Sequence, residues 1–290
     1  MTTPTLRPLS LGEVLDASLA LYRRLFTQLL GVSFATQGVP LLLAALLEAA
    51  GGLLLHPGLY AVQFLIQVVL GALGTAASTF IVSEHYLGRS IGTRQALQTA
   101  SGFLGRLIAL TLATGLVVGC GVVAPMIPVL LFMFIGNFVF AGRTGALTLA
   151  SGALVGVGLM AGVVVAATLF GGLIIGTPAL VLENLADAPN AMRRSWALSR
   201  DYRRKLLAAY VLVALVLLIP TVAIGWISAS IGLEAATFSA ASFLLQLLGA
   251  LLSILIFPFL YVVTTVLYYD MRVRKEGFDL EMLASSLHAA

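Results

Sequence analysis

Long apolar runs separated by short polar segments are the main pattern of this chain. Six uncharged runs are at least as long as the roughly 17 to 25 residues that a helix needs to cross the hydrocarbon core of a bilayer. They cover residues 27–47, 59–83, 107–123, part of 147–182, 206–226 and 238–269. The pattern predicts an all-α fold, a polytopic transmembrane helical bundle of about six spans that forms a single domain over residues 1–290.

The region 124–146 allows two interpretations. Pro125 and Pro128 interrupt an otherwise apolar run, so the region forms either a re-entrant hairpin or two further short spans. Arg143 lies near its end and is expected at the outer surface of the membrane rather than inside it, because a charge in the hydrocarbon core is costly.

Short segments with one polar face precede the first, third and fifth spans, near residues 10–25, 89–103 and 188–203. At about 100° per residue, the last of them places Trp196 and Tyr202 on an apolar arc. The side chains of the opposite face are Arg193, Arg194, Arg200, Asp201, Arg204 and Lys205. Only Arg203 falls on the apolar side.

The first of these segments begins with Ser10 and Glu13 in the S-x-x-E spacing of a capping box, which predicts a helix start. We expect all three segments to be interfacial amphipathic helices that lie in the membrane plane with basic side chains toward the lipid phosphates. The candidate contacts with anionic headgroups or with a partner are Arg23, Arg24, Arg193, Arg200, Arg204 and Lys205.

The sequence also resembles itself at fixed shifts, which indicates an internal repeat. A shift of 99 residues places Glu84, Arg94, Phe103, Arg106 and Leu107 on Glu183, Arg193, Tyr202, Lys205 and Leu206. A shift of 180 residues places Tyr22, Arg23 and Arg24 on Tyr202, Arg203 and Arg204. The chain is interpreted as three hairpin units, at about residues 8–88, 89–187 and 188–270, followed by a cytoplasmic tail at 271–290.

Composition and charge support a membrane protein. The chain is 60% hydrophobic with a mean hydropathy of +1.06, which excludes an ordinary soluble domain. With six spans and both termini inside, all of its 16 lysines and arginines except Arg143 lie on one side, and basic residues gather on the cytoplasmic side. This predicts the bacterial cytoplasmic (inner) membrane. The net charge of +4 follows from that topology and from attraction to anionic lipids, so we expect no nucleic acid partner.

Small residues predict close helix packing. Four G-x-x-x-G pairs, which let two helices approach closely, occur in the third and fourth spans: Gly115 and Gly119, Gly152 and Gly156, Gly158 and Gly162, and Gly172 and Gly176. Packing within the bundle is the favoured interpretation, and a dimer face is the alternative. Cys120 is the only cysteine, so the chain has no intramolecular disulfide, and we interpret it as a small core residue.

Gln63, Gln67, Gly71 and Gly74 share one stripe of the second span, where two amides can bond a neighbouring helix. An interhelical hydrogen bond is the favoured interpretation, and a path for a polar solute is the alternative.

The chemistry of a membrane enzyme is missing from the sequence. His56, His85 and His288 are scattered, and the chain has no H-E-x-x-H, no G-x-S-x-G and no Walker motif. We therefore expect no catalytic residue, no metal and no cofactor. Apart from Arg143, every charged residue lies near the end of a span or beyond it, which disfavours ion-coupled transport.

Acidic residues end the even-numbered spans, and this gives a second candidate site. If the units surround a common axis, Glu84, Glu183 and Asp270 approach the cytoplasmic mouth beside Arg94, Arg193 and Arg272. One interpretation is a charged collar that gates access or docks a partner. The other, which we favour, is a set of structural salt bridges that tie each hairpin to the next interfacial helix.

Three passages carry a resemblance to a known family: LRPLSLGEVLDASLALYRR, ENLADAPNAMRRSWALSRDYRRKL and TTVLYYDMRVRKEGFDLEML. They resemble the bacterial multi-pass proteins named for the glycerophosphoryl diester phosphodiesterase membrane domain, over nearly the whole chain. In the family's namesakes, hydrolysis belongs to a separate soluble metal-dependent barrel. This chain has no counterpart of that barrel's metal ligands or histidines, so the resemblance implies a membrane domain without catalytic residues.

Together these observations predict a non-enzymatic inner-membrane protein that acts as an envelope scaffold or accessory subunit and contacts anionic lipids. Its expected partners are membrane lipids, with a second copy of the chain or another membrane protein as further candidates. The alternative function is a passive conduit or carrier for a lipid or small solute, which the glycine-rich spans would suit.

Overall fold

The computed structural model describes residues 7–50, 56–139, 144–230 and 240–278. Within these ranges eleven α-helices follow one another: α1 Leu11–Arg24, α2 Phe26–Ala49, α3 Pro57–Tyr86, α4 Thr93–Ser101, α5 Leu104–Val123, α6 Met126–Val139, α7 Thr144–Leu173, α8 Gly176–Leu182, α9 Ala188–Ser199, α10 Arg203–Ser230 and α11 Ala240–Glu276. The all-helical fold predicted from the sequence is confirmed for this part of the chain.

Five helical stretches are long and apolar enough to cross a membrane: Phe26–Ala49, Pro57–Tyr86, Leu104–Val123, Gly152–Leu182 and Phe243–Glu276. They match the first four and the last of the six predicted spans, and they identify a multi-pass helical membrane protein. The predicted fifth span lies inside α10, which is 28 residues long but is not one of the five.

The region 124–146 is divided by a break in the helix. The chain turns at Ala124 and Pro125 and continues as α6, a helix of 14 residues that packs against α7. A helix of this length falls short of a full crossing. Residues 140–143, with Arg143, lie outside the described residues, so the choice between a hairpin and two spans stays a prediction.

The predicted tail begins inside a helix. Residues 271–276 continue α11, and Met271 and Val273 are buried in the core. The helix continues beyond the end of its apolar run because these two side chains are buried and because Arg272 and Arg274 form ion pairs. Residues 279–290 lie outside the described residues.

The central unit of the bundle is made of α2, α3 and α11. α2 and α3 form an antiparallel hairpin, which is closed at its far end by a hydrogen bond from the Tyr60 hydroxyl to the Glu48 carboxylate. α11 packs against both helices. α5 packs against α3 and α7, and α10 packs against α7 and α11.

The buried core lies toward the end of the bundle where α11 finishes. It contains the beginning of α2, the second half of α3, the beginnings of α5 and α10, and the second half of α11. Tyr268, Leu29, Leu107 and Leu206 are among its largest fully buried side chains. Toward the opposite end, large apolar side chains such as Trp226 are exposed, as expected of helices that face lipid.

Two of the four G-x-x-x-G pairs meet a neighbouring helix. A Cβ at Gly158 would lie 2.8 Å from Val129 of α6, and one at Gly162 would lie 2.6 Å from the Val122 carbonyl of α5. A Cβ at Gly172 would collide with the Trp196 ring, and its pair member Gly176 faces Leu110 at contact distance. Close helix approach therefore explains Gly158, Gly162 and Gly172, whereas Gly176 has room for a Cβ.

The other two pairs do not pack as predicted. A Cβ at Gly115, Gly119, Gly152 or Gly156 would meet no atom within 4 Å. Cys120, next to Gly119 on α5, is exposed, so the prediction that it is a core residue was wrong. In this part of α5 the contact with α7 is made instead by Gly121, whose Cβ position lies 2.6 Å from Leu169.

Candidate functional site

Two of the predicted amphipathic segments begin with a side-chain cap. Ser10 Oγ accepts the Glu13 N–H (3.3 Å) and Glu13 Oε2 accepts the Ser10 N–H (2.7 Å), which is the predicted capping box at the start of α1. These hydrogen bonds, first the one from the Ser10 backbone, lower the pKa of Glu13 to about 2. α9 begins in a related way, since Asp187 accepts the Asn190 N–H at 2.8 Å.

Asp270 is the most buried carboxylate among the described residues. Its side chain is 0% exposed and accepts from Lys205 Nζ (2.6 Å), Arg274 Nε (3.1 Å) and the Leu9 N–H (2.8 Å). Lys205 Nζ and Arg274 Nη2 also donate to the Leu9 carbonyl. One buried anion thus joins the segment before α1, the start of α10 and the end of α11.

Glu183 is the centre of a second set of bonds. Arg194 Nε donates to both of its carboxylate oxygens (2.9 and 2.7 Å), and the Tyr268 hydroxyl donates to Oε1 (2.8 Å). Arg194 also pairs with Glu276 at 2.5 Å, and Glu276 pairs with Arg272 at 3.1 Å. Hydrogen bonds to Glu276 and then to Glu183 raise the pKa of Arg194 above its already high value. α8, α9 and α11 are tied together here.

Two of the three acids predicted for the collar form close ion pairs, but with bases other than the predicted ones. Glu183 binds Arg194, and Asp270 binds Lys205 and Arg274. Among the described residues, Glu84 pairs with Arg89, at 3.8 Å.

Of the bases that the sequence assigned to this collar, Arg94 and Arg193 are exposed, and neither forms an ion pair with a described residue. Arg272 pairs with Glu276 and lies 4.1 Å over the Phe278 ring.

An open pocket of about 900 Å³ lies between α9, the start of α10, and the membrane helices α5 and α7. Its basic residues are Arg193, Arg200 and Arg203. The pocket is also lined by Trp196 and Met192, by Asp201, and by Val117 and Leu173 of the two membrane helices. It therefore combines guanidinium groups with an apolar wall.

Trp196 packs between a basic residue of the pocket and the membrane helix α7. The Arg203 guanidinium lies 3.6 Å over its ring, a cation–π contact, and Arg203 Nε is buried without a hydrogen-bond partner in the described part of the chain. On its other side Trp196 packs against Gly172, which leaves room for the ring because it has no side chain. Ser195 Oγ (2.8 Å) and Ser199 Oγ (3.1 Å) donate to the Gly172 carbonyl and fix α9 against α7.

Asp201 does not cancel the charge of the pocket. It is paired with Lys275 of α11, and that hydrogen bond is the main cause of its lowered pKa. The acid therefore stays ionised and already has a basic partner. The three arginines are left to set the sign of the local potential, which favours an anion.

The predicted headgroup contacts divide into three groups. Arg193 and Arg200 line the pocket, whereas Arg23, Arg24 and Arg204 are exposed elsewhere on the same polar segments. Lys205 does not face lipid, because its amine is bonded to Asp270 and Leu9.

The sequence did not identify Arg203 as a residue of this pocket. The helical wheel placed Arg203 on the apolar side, and on that side its guanidinium stacks on Trp196. The spacing of seven residues between Trp196 and Arg203, which puts both on one helix face, could have indicated this contact.

Two helix junctions have the same geometry 99 residues apart. The Phe103 N–H donates to the Ala100 carbonyl (3.0 Å) before α5 begins, and the Tyr202 N–H donates to the Ser199 carbonyl (2.9 Å) before α10 begins. The buried pairs that follow this spacing are Ala96 and Ser195, Ala100 and Ser199, Leu107 and Leu206, and Leu110 and Ala209.

The junction between α1 and α2 lies at Leu25, 177 residues before Tyr202. With this shift the fully buried Leu29 aligns with the fully buried Leu206, and Ser18 aligns with Ser195, both at 0% exposure. The repeat, with its shifts of 99 and 180 residues, stays a prediction.

Comparisons of the chain with models of protein families, with curated proteins and with solved structures find no match. Any role of the chain therefore has to follow from the geometry and charge of these surfaces.

Proposed function

We propose that this chain is a non-enzymatic multi-pass protein of the bacterial cytoplasmic membrane, a scaffold or accessory subunit that holds anionic lipid headgroups at its basic end. The observation that carries the proposal is the pocket in which Arg193, Arg200 and Arg203 stand above an apolar wall. The resemblance to bacterial membrane-domain proteins, seen in the three passages quoted above, supports the same setting.

The pocket suits the chemistry of an anionic phospholipid. A guanidinium offers a planar fork of donors that matches phosphate oxygens, and Arg193 and Arg200 present this group from exposed positions. Trp196 has the amphipathic ring that is typical of the headgroup region. Val117 and Leu173 then provide apolar contacts for the first methylenes of an acyl chain.

The distribution of charge fits a cytoplasmic face. Lys205, Arg194, Arg272 and Arg274 belong to the two ion-pair sets, and Arg106 donates to the Leu185 carbonyl (2.8 Å) beside them. We infer that α10 is the sixth span and that both termini lie on this side. α1, α4 and α9 would then be surface helices that introduce three related hairpins, an arrangement that the matching junctions support.

Tryptophan fluorescence tests the proposal directly. Trp226→Phe leaves Trp196 as the single tryptophan of the full chain, which is then reconstituted in nanodiscs with increasing phosphatidylglycerol in phosphatidylcholine. We expect a saturable change in Trp196 emission. In the Arg193→Gln/Arg200→Gln variant the midpoint should shift by about fivefold for each arginine, because a basic residue near an anionic surface contributes about 1 kcal/mol.

Arg23→Gln/Arg24→Gln is the matched control, since it removes the same charge from exposed positions outside the pocket. Its midpoint should stay close to that of the Trp226→Phe parent. Equal responses of the two double variants would show that only the overall charge matters and would reject the pocket as a headgroup site.

A lipid carrier is the second candidate, because the same pocket joins a basic surface to apolar positions on α5 and α7. A carrier would speed the transfer of a fluorescent anionic lipid between leaflets of a reconstituted vesicle, and Arg193→Gln/Arg200→Gln would slow it. A scaffold would leave the transfer rate at that of protein-free vesicles.

A further inference from the structure

A column of polar side chains lies inside the apolar core, between α2, α3 and α11. Hydrogen bonds between helices occur along it from Gln67 to Gln37 (2.6 Å) and between Ser83 and Tyr269 (2.8 Å), and the Thr265 and Thr79 hydroxyl oxygens lie 3.4 Å apart. The bond from Gln67 is the interhelical amide bond that the polar stripe of the second span predicted. Polar atoms at such a depth need partners within the protein.

Three polar atoms of this column have no such partner. Ser33 Oγ and Gln37 Nε2 on α2, and Ser78 Oγ on α3, are buried and make no hydrogen bond with any described residue. Ser33 and Gln37 are each 1% exposed and Ser78 is 0% exposed. An amide or hydroxyl buried without a partner costs about 1 to 3 kcal/mol, so three together would be a substantial penalty.

The three atoms lie along one stretch of the α2–α3 hairpin, with Ser33 and Ser78 near the same level and Gln37 one helical turn away. Thr36 of α2 meets Gly74 of α3, where a Cβ would lie 2.5 Å from the Thr36 hydroxyl. Ser33 lies three residues before Thr36, and Ser78 lies four residues after Gly74. Because α2 and α3 are antiparallel, both steps lead in the same direction along the pair. Gln37 lies one turn from Ser33 on the same face, with Nε2 3.6 Å from the Cβ position of Gly71.

The two serines differ from the other hydroxyls of the column. Thr36, Thr75, Thr79, Thr264 and Thr265 each donate to the carbonyl four residues earlier in their own helix, at 2.8 to 2.9 Å. Ser33 and Ser78 make no such bond, although a serine in a helix has the same option. Their hydroxyls are therefore available to a molecule between the helices.

We propose that a short chain of ordered water runs along this stretch and links the Ser33 and Ser78 hydroxyls to Gln37 Nε2. The chemistry of the three groups selects the ligand: Gln37 Nε2 can only donate, whereas each serine can donate or accept. A metal cation would leave the amide N–H without an acceptor, and no described carboxylate lies in the column to balance its charge. A water molecule accepts and donates at once, and two to four polar partners are what buried water requires.

This inference concerns the interior of the hairpin and does not depend on the basic pocket. It gives the α2–α3 pair a bound solvent site next to the Gln67–Gln37 bond. The site is part of how two glutamines and two serines are accommodated in an apolar core.

A double-mutant cycle on the full chain tests it. Ser33→Ala, Ser78→Ala and the double variant are unfolded thermally in detergent, with Ser253→Ala as the control because its hydroxyl already bonds the Gly249 carbonyl at 2.8 Å. If one water cluster bridges the serines, each single variant lowers the melting temperature and the double variant loses less than the sum. Ser253→Ala should leave the melting temperature nearly unchanged.

Rising melting temperatures in both single variants, or strictly additive losses, would overturn the proposal, because removing an unsatisfied hydroxyl from a dry core relieves a penalty. A melting temperature that falls when sodium is replaced by choline would also overturn it in favour of a cation. A cryo-EM map that resolves ordered solvent is the independent measurement. We expect density within hydrogen-bond distance of Gln37 Nε2, and an empty gap there would contradict us.

Discussion

At the scale of single residues, buried charge decides how the basic end is held together. The Asp270 carboxylate is buried from solvent, and its charge is stabilised by Lys205, Arg274 and the Leu9 N–H. Asp201, in contrast, bonds Lys275 from a side chain that is 63% exposed. Removing one partner of a buried pair leaves a charge uncompensated, whereas an exposed pair contributes little in high dielectric.

Asp270→Asn should therefore destabilise the protein by about 3 to 5 kcal/mol. The substitution keeps the shape of the side chain and leaves Lys205 and Arg274 without their anion. Asp201→Asn, the same chemical change at an exposed ion pair, should cost about 0 to 1 kcal/mol. Unfolding in detergent with increasing denaturant measures both. Equal small losses of unfolding free energy in the two variants would mean that the Asp270 ion pairs do not stabilise this end of the bundle.

At the scale of helices, α1 shows how a local signal and distant contacts combine. The capping box of Ser10 and Glu13 fixes where the helix begins. The rest of α1 is placed by distant residues of α11, since Leu9 binds Asp270 and the Tyr22 hydroxyl donates to the Leu255 carbonyl at 2.5 Å.

The capping box gives α1 a pH dependence with a definite sign. The folded pKa of Glu13 is lowered from 4.5 to about 2, so its contribution is complete above about pH 4.5 and is lost as the pH falls toward 2. Glu13→Gln should lower the melting temperature at pH 7, and the difference from wild type should shrink over that window. Asp16→Asn, on the exposed side of the same helix, is the control. A difference that stays constant from pH 7 to pH 2.5 would contradict the assignment.

Sequence patterns predicted what depends on neighbours in the chain. The Ser10–Glu13 cap and the Gln67 stripe are local, and both were found as expected. The partner of Gln67 could not be predicted, because α2 contains two amides, Gln28 and Gln37, and the sequence does not show which of them α3 meets. The wheel likewise placed Arg194 and Lys205 on the solvent face, since it contains no information on Glu183 or Asp270 many residues away. These bonds form only when separate helices are brought together.

At the scale of the whole molecule, the core and the charge lie at the same end. Leu29, Leu107, Leu206 and Tyr268 fill the interior beside the ion-pair sets, while the far ends of the helices expose their apolar side chains. Such a distribution suits a protein anchored by an ordered basic surface in a bilayer. It follows that the exposed arginines of the three polar segments should share one compartment.

Site-directed labelling of the folded protein in its membrane tests this central claim most directly. Single cysteines replace Arg23, Arg94 and Arg204, with Gly58 as the marker of the opposite end, in a Cys120→Ala background that removes the only native cysteine. With an impermeant maleimide, we predict that all three arginine positions react from the cytoplasmic side only and that Gly58→Cys reacts from the other side only. Labelling of Arg23, Arg94 and Arg204 from different sides would contradict the account.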